Sequence, residues 1–467
     1  MTAPATKPDP LSLIRSSPLF DEGWYCREYP DLMQRELDPA RHYLRAGAKG
    51  LCDPGPEFSS QFYLDTHPQA ARRGVNPLVH QINHPEHEGL DAGAVLQAAE
   101  ALRQKGQPKL AMTLARRHLK GTLARGEPLL CANVAAAAGD PEAWCQSLNR
   151  YLALFDQEPL RLDGAGGPVL DRLAPATPPT PRPTGPKISV LMAVHQAEST
   201  VATAVRSVLE QTWQNLELIV VDDASTDQSL ARIRQAAEAD PRMRVLHNTR
   251  NVGPYVCKNI ALQVATGTWI TGLDADEWAL HTRLERQMDH ALRHDLKASS
   301  TGMLRLTPHG LFSQIRRVGK VTPDGVLQHS PISTLFQRDF LKKTLGSWDS
   351  ARFGADAELM ARATLALGKE PPSLPEPGLL SLDLEGSLTN NPEFGLHPRY
   401  GMTPGRRAYR EAWKYWHKEK LANGQASAER LYCTFPPESR RYRLPHLADV
   451  PLEDIQAVIS THGLGVT

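Results

Sequence analysis

The chain has 467 residues, with 53 Lys plus Arg against 52 Asp plus Glu, a formal net charge of +1. That balance excludes a global electrostatic pull towards nucleic acid or an anionic membrane. Hydrophobic residues at 41% and charged residues at 22% match an ordinary globular chain, and the length suggests about three domains.

The 38 prolines outnumber the 33 glycines. Helix and strand interiors exclude proline, so these residues mark turns, element starts and linkers. Met1 to Pro10 lacks a basic region followed by an apolar run, so no secretory leader is expected. No stretch approaches the roughly 20 apolar residues of a spanning helix. The six cysteines lie apart, without a CxxC, and are expected to be free thiols. The expected location is cytoplasmic, including the inner face of the cytoplasmic membrane.

Residues 1–90 hold a tandem repeat. Phe20, Tyr25, Pro30, Asp38-Pro39 and His42 recur as Phe58, Tyr63, Pro68, Asn76-Pro77 and His80. The aromatic pair can anchor a short helix, and the Asp/Asn-Pro step can cap the next one. The histidines read as packing or capping residues. His80, His84 and His87 invite a metal reading, but Pro85 interrupts any continuous helix.

Residues 91–163 are rich in Ala, Leu, Arg and Gln with helical apolar spacing, and predict helical hairpins that dock a protein partner. Residues 164–186 are dense in Gly and Pro and predict a semi-stiff linker without a packed core.

After the linker, strands and helices alternate. Apolar runs at Ile188 to Val194, Leu216 to Val221, Met243 to Leu246 and Trp269 to Leu273 predict buried strands. Helices are expected from Thr200, from Ser229 to Ala239, and from Pro254 to a stop at Gly267. The alternation predicts an α/β fold, a mostly parallel sheet flanked by helices. Such sheets bind ligands beyond the carboxyl ends of their strands, where Asp222-Asp223 and Asp274-Ala275-Asp276 fall.

Two carboxylates facing one way repel unless a cation separates them or one stays protonated. Asp274 and Asp276 therefore suit a hard divalent ion, Mn²⁺ or Mg²⁺, bridging to a diphosphate. In Asp222 to Asp227, Ser225 or Asp227 can cap the next helix, while the strand-tip carboxylate can accept from a nucleobase or ribose.

The segments Ile188 to Glu198, Ser207 to Trp213, Glu217 to Asp227, Asn251 to Gly253, Lys258-Asn259 and Asp274 to Glu277 run in the order seen in family 2 glycosyltransferases. They resemble the nucleotide-sugar-binding half of the GT-A fold. The domain expected from this resemblance spans 187–390, with a C-terminal helical extension over 391–467. The resemblance implies that Val194, His195 and Glu198 line a uridine-contacting loop, and that Asp222 and Asp223 include a uracil contact. Lys258 stands where arginine is frequent and would approach the diphosphate; Ala275 lies between the metal-motif carboxylates. Asp276 is the expected direct metal ligand, with Asp274 beside it. Gly346 to Leu359 resembles the segment that supplies the catalytic base, with Asp356 in the base position and Glu358 as a rival. His397 and Arg399 are weak phosphate-contact candidates. The implied activity is inverting, metal-dependent glycosyl transfer from a UDP-linked or other nucleotide-sugar donor. The acceptor would be a glycan or a lipid-linked molecule, in bacterial surface polysaccharide synthesis. The repeat units resemble those attached to such enzymes.

A decayed scaffold that only binds, and a nucleotidyltransferase, are the alternatives. The retained Asp274, Asp276 and Asp356 speak against the first; the absence of a Gly-rich basic loop after the first strand speaks against the second. In Arg406 to Lys420, Tyr409, Trp413 and Trp416 share one helical face and are expected to pack. The basic residues between them offer a peripheral membrane contact as the sharper option.

Overall fold

The structure, a computed structural model, describes residues 9–33, 38–84, 88–164, 166–182, 184–319, 322–397, 401–421, 431–439 and 441–464. Its contacts divide the chain into two units. One comprises Met1–Tyr151 and Gln314–Val326, the other Leu152–Ser313 and Leu327–Thr467.

The first unit is helical. Both sequence repeats place the same contacts. Tyr25 pairs with His42 Nδ1 at 2.9 Å and Tyr63 with His80 Nδ1 at 2.7 Å. Asp38 and Asn76 cap the helices Pro39–His42 and Pro77–Asn83 by accepting from Arg41 N and Val79 N. Pro30 and Pro68 each start a new helix directly after the aromatic one ends, because proline lacks the N–H needed to continue a helix and fits its first turn. Ile14, Tyr25, Tyr43, Phe58, Tyr63 and Leu78 form the common core. The His80 and His84 rings stack at 4.1 Å; His87 lies outside the described residues. Gln314–Val326 joins this helical unit, a membership that no local pattern predicted. Gly126 is required there, because a Cβ would meet Asp324 O at 2.5 Å.

The second unit is built on an eight-stranded mixed sheet. Its strands are β1 (Ile188–Val194), β2 (Leu216–Asp222), β3 (Met243–His247), β4 (Trp269–Gly272), β5 (Glu277–Ala279), β6 (Ala298–Leu306), β7 (Gln328–Gln337) and β8 (Ser373–Leu382). The spatial order is β3-β2-β1-β4-β7-β6-β8-β5. The β3-β2-β1-β4 half is parallel throughout, while β7 runs antiparallel to β4 and β6. The expected α/β architecture with flanking helices is therefore present.

Alternation along the strands fills both faces. Ile188, Val190, Met192 and Val194 pack with Val201, Val205 and Val208 of α1 (Val201–Leu209). Leu191, Ile219 and Val221 pack on the opposite face against Val256 and Ile260 of α3 (Pro254–Val264); α2 (Ser229–Ala239) lies between these helices in sequence. Leu284 and Met288 of α4 (Arg283–Arg293) join the first face, and Leu359 and Ala363 of α5 (Ala355–Leu367) the second. Each of these buried Val, Leu, Ile and Met side chains contributes about 1.5–3 kcal/mol.

Three expectations are corrected. The stretch expected to be a coreless linker is folded onto the second unit. Leu160–Leu162 pairs with Leu173–Pro175, and Leu170 and Leu173 are buried. Apolar side chains between the glycines supply that small core, and Arg182 N finds Thr212 O at 2.7 Å within the proline run. α3 stops at Val264 rather than at Gly267. Gly267 instead donates to Ser189 Oγ at the foot of β1, where a Cβ would clash with Ser189 N.

The third concerns the C-terminal basic stretch. It is helix α6 (Pro404–Leu421), with Tyr409, Trp413 and Trp416 buried and Arg407, Arg410, Lys414 and Lys418 exposed. Arg406, counted among its surface basic residues, is instead part-buried and donates to Phe394 O at 2.7 Å. The final helix is α7 (Leu452–Thr461). Among the described residues, no helix is long and apolar enough to cross a membrane.

Candidate active site

The parallel strands end at one edge in register, with Val194 opposite Asp222 and Asp222 opposite His247. Two loop systems leave this edge.

The first joins the loops after β1 and β2. Val194 is buried at its strand tip, while His195 and Glu198 are exposed. His195 Nδ1 is 2.9 Å from Asp223 O. Gln196 adopts φ +51° and its Oε1 accepts from Thr226 N at 2.8 Å. Glu198 Oε2 accepts from Gln228 N at 2.9 Å. Asp227 accepts from both Glu198 N and Ser229 N, so it serves the helix start and the clasp together. Ser225 Oγ is taken by Gln196 N rather than by a cap.

The two adjacent aspartates differ. Asp223 is 2% exposed, and its carboxylate accepts from Asn248 Nδ2, Val252 N and Gly253 N at 2.7–3.2 Å. Gly253 sits at φ +81°, a conformation glycine adopts at no steric cost, and this turns its N–H onto that carboxylate. Asp223 thus pins the loop that opens α3. Asp222 accepts from Ser225 N and His247 Nδ1 through Oδ2 alone. Its Oδ1 is buried without a partner among the described residues, a spare acceptor at the strand tip.

The second system gathers Lys258, Asp274, Asp276 and Asp356. Lys258 is 2% exposed on α3, and its Nζ lies 3.4 Å from Asp274 Oδ1 and 5.0 Å from the Tyr255 ring centroid. Burial works against its charge, but Asp274, Asp356 and Glu277 outweigh burial and hold the ammonium above its usual range. Tyr255, one helical turn earlier, donates its hydroxyl to Asp356 Oδ2 at 2.9 Å. Trp348 Nε1 donates to Asp356 Oδ1 at 3.2 Å. Asp356 sits in the first turn of α5, where the helix dipole favours negative charge.

The acidic loop after β4 is crowded. Burial, then the Asp274 charge, pushes Asp276 up to about 6. Burial together with Asp274 and Asp276 pushes Glu277 up to about 8. Beneath them lies buried Arg283, held down to about 10 by burial and bonded to Thr271, Gly272 and Gln287. Ala275, between Asp274 and Asp276 in sequence, is buried.

This surplus of carboxylate charge, with oxygen donors only, fits a hard divalent cation. Among the described residues, no group of three His, Cys, Asp or Glu side chains is arranged to hold a metal. Asp274 and Asp276 would supply two protein ligands, the rest coming from water or a bound diphosphate.

Glu358 does not join the site. It is 0% exposed, with both oxygens taken by Arg362 and one shared with His417 Nε2 at 2.9 Å. The face of α5 that carries it is turned into the core towards α6, so it ties two helices together and is no rival base. Neighbouring Asp349 is likewise internal, accepting from Tyr409 and Tyr442. Arg399 lies outside the described residues, as does the His397 side chain.

Tyr255 and Trp348 escaped the sequence reading, and Arg406 was read only as a surface basic residue. The spacing Tyr255–Lys258 was visible as one helical turn, but an aromatic residue beside a buried helix reads as core. Arg406 lies near enough for Tyr255 and Asp356 to act on its charge, although burial lowers its pKa.

Residues 189–305 match the model of glycosyl transferase family 2. An uncharacterized glycosyltransferase of Haemophilus influenzae is 38% identical over 111 residues, 24% of this chain and 44% of that protein. The putative glycosyltransferase EpsE of Bacillus subtilis is 33% identical over 174 residues, 36% of this chain and 62% of that protein. The Escherichia coli UDP-Glc:alpha-D-GlcNAc-diphosphoundecaprenol beta-1,3-glucosyltransferase WfgD is 28% identical over 148 residues, 32% of this chain and 58% of that protein. The chain thus spans less than two thirds of the length of each of these relatives. The matched segment contains the strand-tip loops, Lys258 and the Asp274-Ala275-Asp276 turn, and through it the chain carries a glycosyl transferase family 2 domain.

Proposed function

We propose that the protein transfers a sugar from a nucleotide-sugar donor, UDP-linked, to a hydroxyl of a glycan or lipid-linked acceptor, with inversion at the anomeric carbon, in bacterial surface polysaccharide synthesis. The observation that carries this reading is the convergence of Lys258, Asp274, Asp276 and Asp356 at the carboxyl edge of the sheet. The WfgD relative, whose name records a UDP-Glc donor, supports the donor class.

In this reading the first loop system holds the nucleoside. Asp222 Oδ1 accepts from the base or ribose, and Asp223 keeps the loop shape that lets it do so. Val194, His195 and Glu198 form the rim. Lys258 faces the diphosphate as a compact point charge. Asp276 and Asp274 would hold Mn²⁺ or Mg²⁺, which when bound neutralises the departing diphosphate.

Asp356 accepts the proton of the acceptor hydroxyl. The hydroxyl oxygen attacks the anomeric carbon while the bond to the diphosphate breaks on the opposite side. Tyr255 and Trp348 donate to the two carboxylate oxygens of Asp356, which restricts its rotation. The exposed basic stripe of α6 is the peripheral membrane contact proposed for a lipid-linked acceptor. The helical unit is the proposed protein-docking half.

A thermal-stabilisation screen of nucleotide sugars with Mn²⁺ tests the donor assignment. A ligand that binds the native state raises its melting temperature, and a UDP-sugar is expected to give the largest shift. Stabilisation by none of the nucleotide sugars would remove the reading.

A further inference from the structure

Lys258 is a buried cation on the carboxylate that the metal needs. Its ammonium is 2% exposed and 3.4 Å from Asp274 Oδ1, and among the described residues its one ion pair is with Asp274. The ammonium also lies over the Tyr255 ring, 5.0 Å from its centroid. Tyr255 is itself held by its hydrogen bond to Asp356. Asp274, by contrast, is 43% exposed and open to an incoming ion.

A divalent ion arriving at Asp274 meets this buried ammonium a few ångströms away. The two cations repel. A nucleoside diphosphate changes the balance, because its oxygens give the ammonium a second partner. The single point charge of lysine can turn between Asp274 and a phosphate, whereas a guanidinium fork would favour one fixed pairing.

We propose that Lys258 is a built-in counter-ion that competes with the divalent metal for Asp274 until a nucleoside diphosphate draws it away, so that metal and nucleotide bind synergistically. This rests on the reading of Asp274 and Asp276 as the metal and diphosphate site. Linkage makes the effect reciprocal: the metal strengthens nucleotide binding by the factor by which the nucleotide strengthens metal binding.

The test is Mn²⁺ binding to the full chain, followed by electron paramagnetic resonance of free Mn²⁺, with and without UDP or GDP and corrected for the Mn²⁺–nucleotide complex in solution. Wild type is expected to bind Mn²⁺ about tenfold or more tightly with nucleotide than without. Lys258→Met, close in shape and uncharged, is expected to bind Mn²⁺ alone about tenfold more tightly than wild type, and to lose most of the nucleotide effect. If Lys258→Met does not fold, the wild-type cycle decides alone: independence of the two ligands overturns the proposal. Equal Mn²⁺ affinity in wild type and a folded Lys258→Met also overturns it, while leaving the function reading intact. Failure of wild type to bind Mn²⁺ in any combination overturns both.

Discussion

The Tyr255 hydroxyl donates to Asp356 Oδ2 across 2.9 Å, joining α3 to the first turn of α5. The same helix turn carries Lys258, so the carboxylate assigned to proton transfer and the cation assigned to the diphosphate share one rigid support. Positioning by packed elements matters because small misplacement of reacting groups is costly in rate.

Asp356→Asn removes the proposed proton acceptor while keeping its size; the amide oxygen can still accept from Trp348, and the amide nitrogen can only donate to the Tyr255 hydroxyl. Its kcat is expected to fall by about 10²–10⁴, with the melting temperature and nucleotide affinity near wild type. Steady-state transfer assays beside thermal melts read this.

Tyr255→Phe removes one donor to Asp356 but keeps the ring under Lys258. Its effect is expected in kcat, down about tenfold, with the donor KM little changed, because the hydroxyl acts through the base and not through donor binding. A rise in KM with unchanged kcat would place Tyr255 in donor binding instead.

Glu358→Ala tests stability rather than chemistry. It strands the Arg362 guanidinium, 0% exposed, without its carboxylate partner. Breaking a buried pair by removing one member costs about 3–5 kcal/mol. Urea denaturation is expected to show that loss, and the protein that remains folded is expected to turn over. A fully stable but inactive Glu358→Gln would return Glu358 to the list of bases.

Glu217 gives a pH signature at the foot of the sheet. Burial opposes its charge, but Ser189, Thr266 and Lys187 outweigh burial and hold it down to about 2, below its ordinary 4.5. A lowered folded value means the stabilisation is present above about pH 4.5 and is lost as pH falls towards 2. Glu217→Gln is expected to cost on the order of 2–3 kcal/mol near neutrality. The gap to wild type is expected to shrink as the pH of the urea titrations is lowered below 4.5; a gap that stays constant would contradict the assignment.

The strand tips were legible because buried parallel strands are continuous apolar runs, and the chemistry begins where those runs stop, at Asp222 and Asp274. What escaped was the direction of individual side chains. Asp222 and Asp223 are adjacent in sequence, yet one is consumed by the loop that opens α3 and the other keeps a spare oxygen. Glu358 is two residues from Asp356, a spacing that turns it to a different face of α5, and only Arg362 four residues on hinted that it was paired. The proline-rich stretch read as a linker because composition does not reveal Leu170 and Leu173 folding into a small core. The donors to Asp356 were hidden for a related reason: Tyr255 and Trp348 are aromatic residues whose polar ends matter more here than their rings.

The most direct test is the release of nucleoside diphosphate from a panel of UDP- and GDP-sugars, with Mn²⁺ and glycan or lipid-diphosphate acceptors, by wild type beside Asp356→Asn. Wild type is expected to give acceptor-dependent release from at least one donor, and the variant to lose about 10²-fold or more of it. Equal turnover by the two proteins, or no release from any donor, would contradict the proposed mechanism.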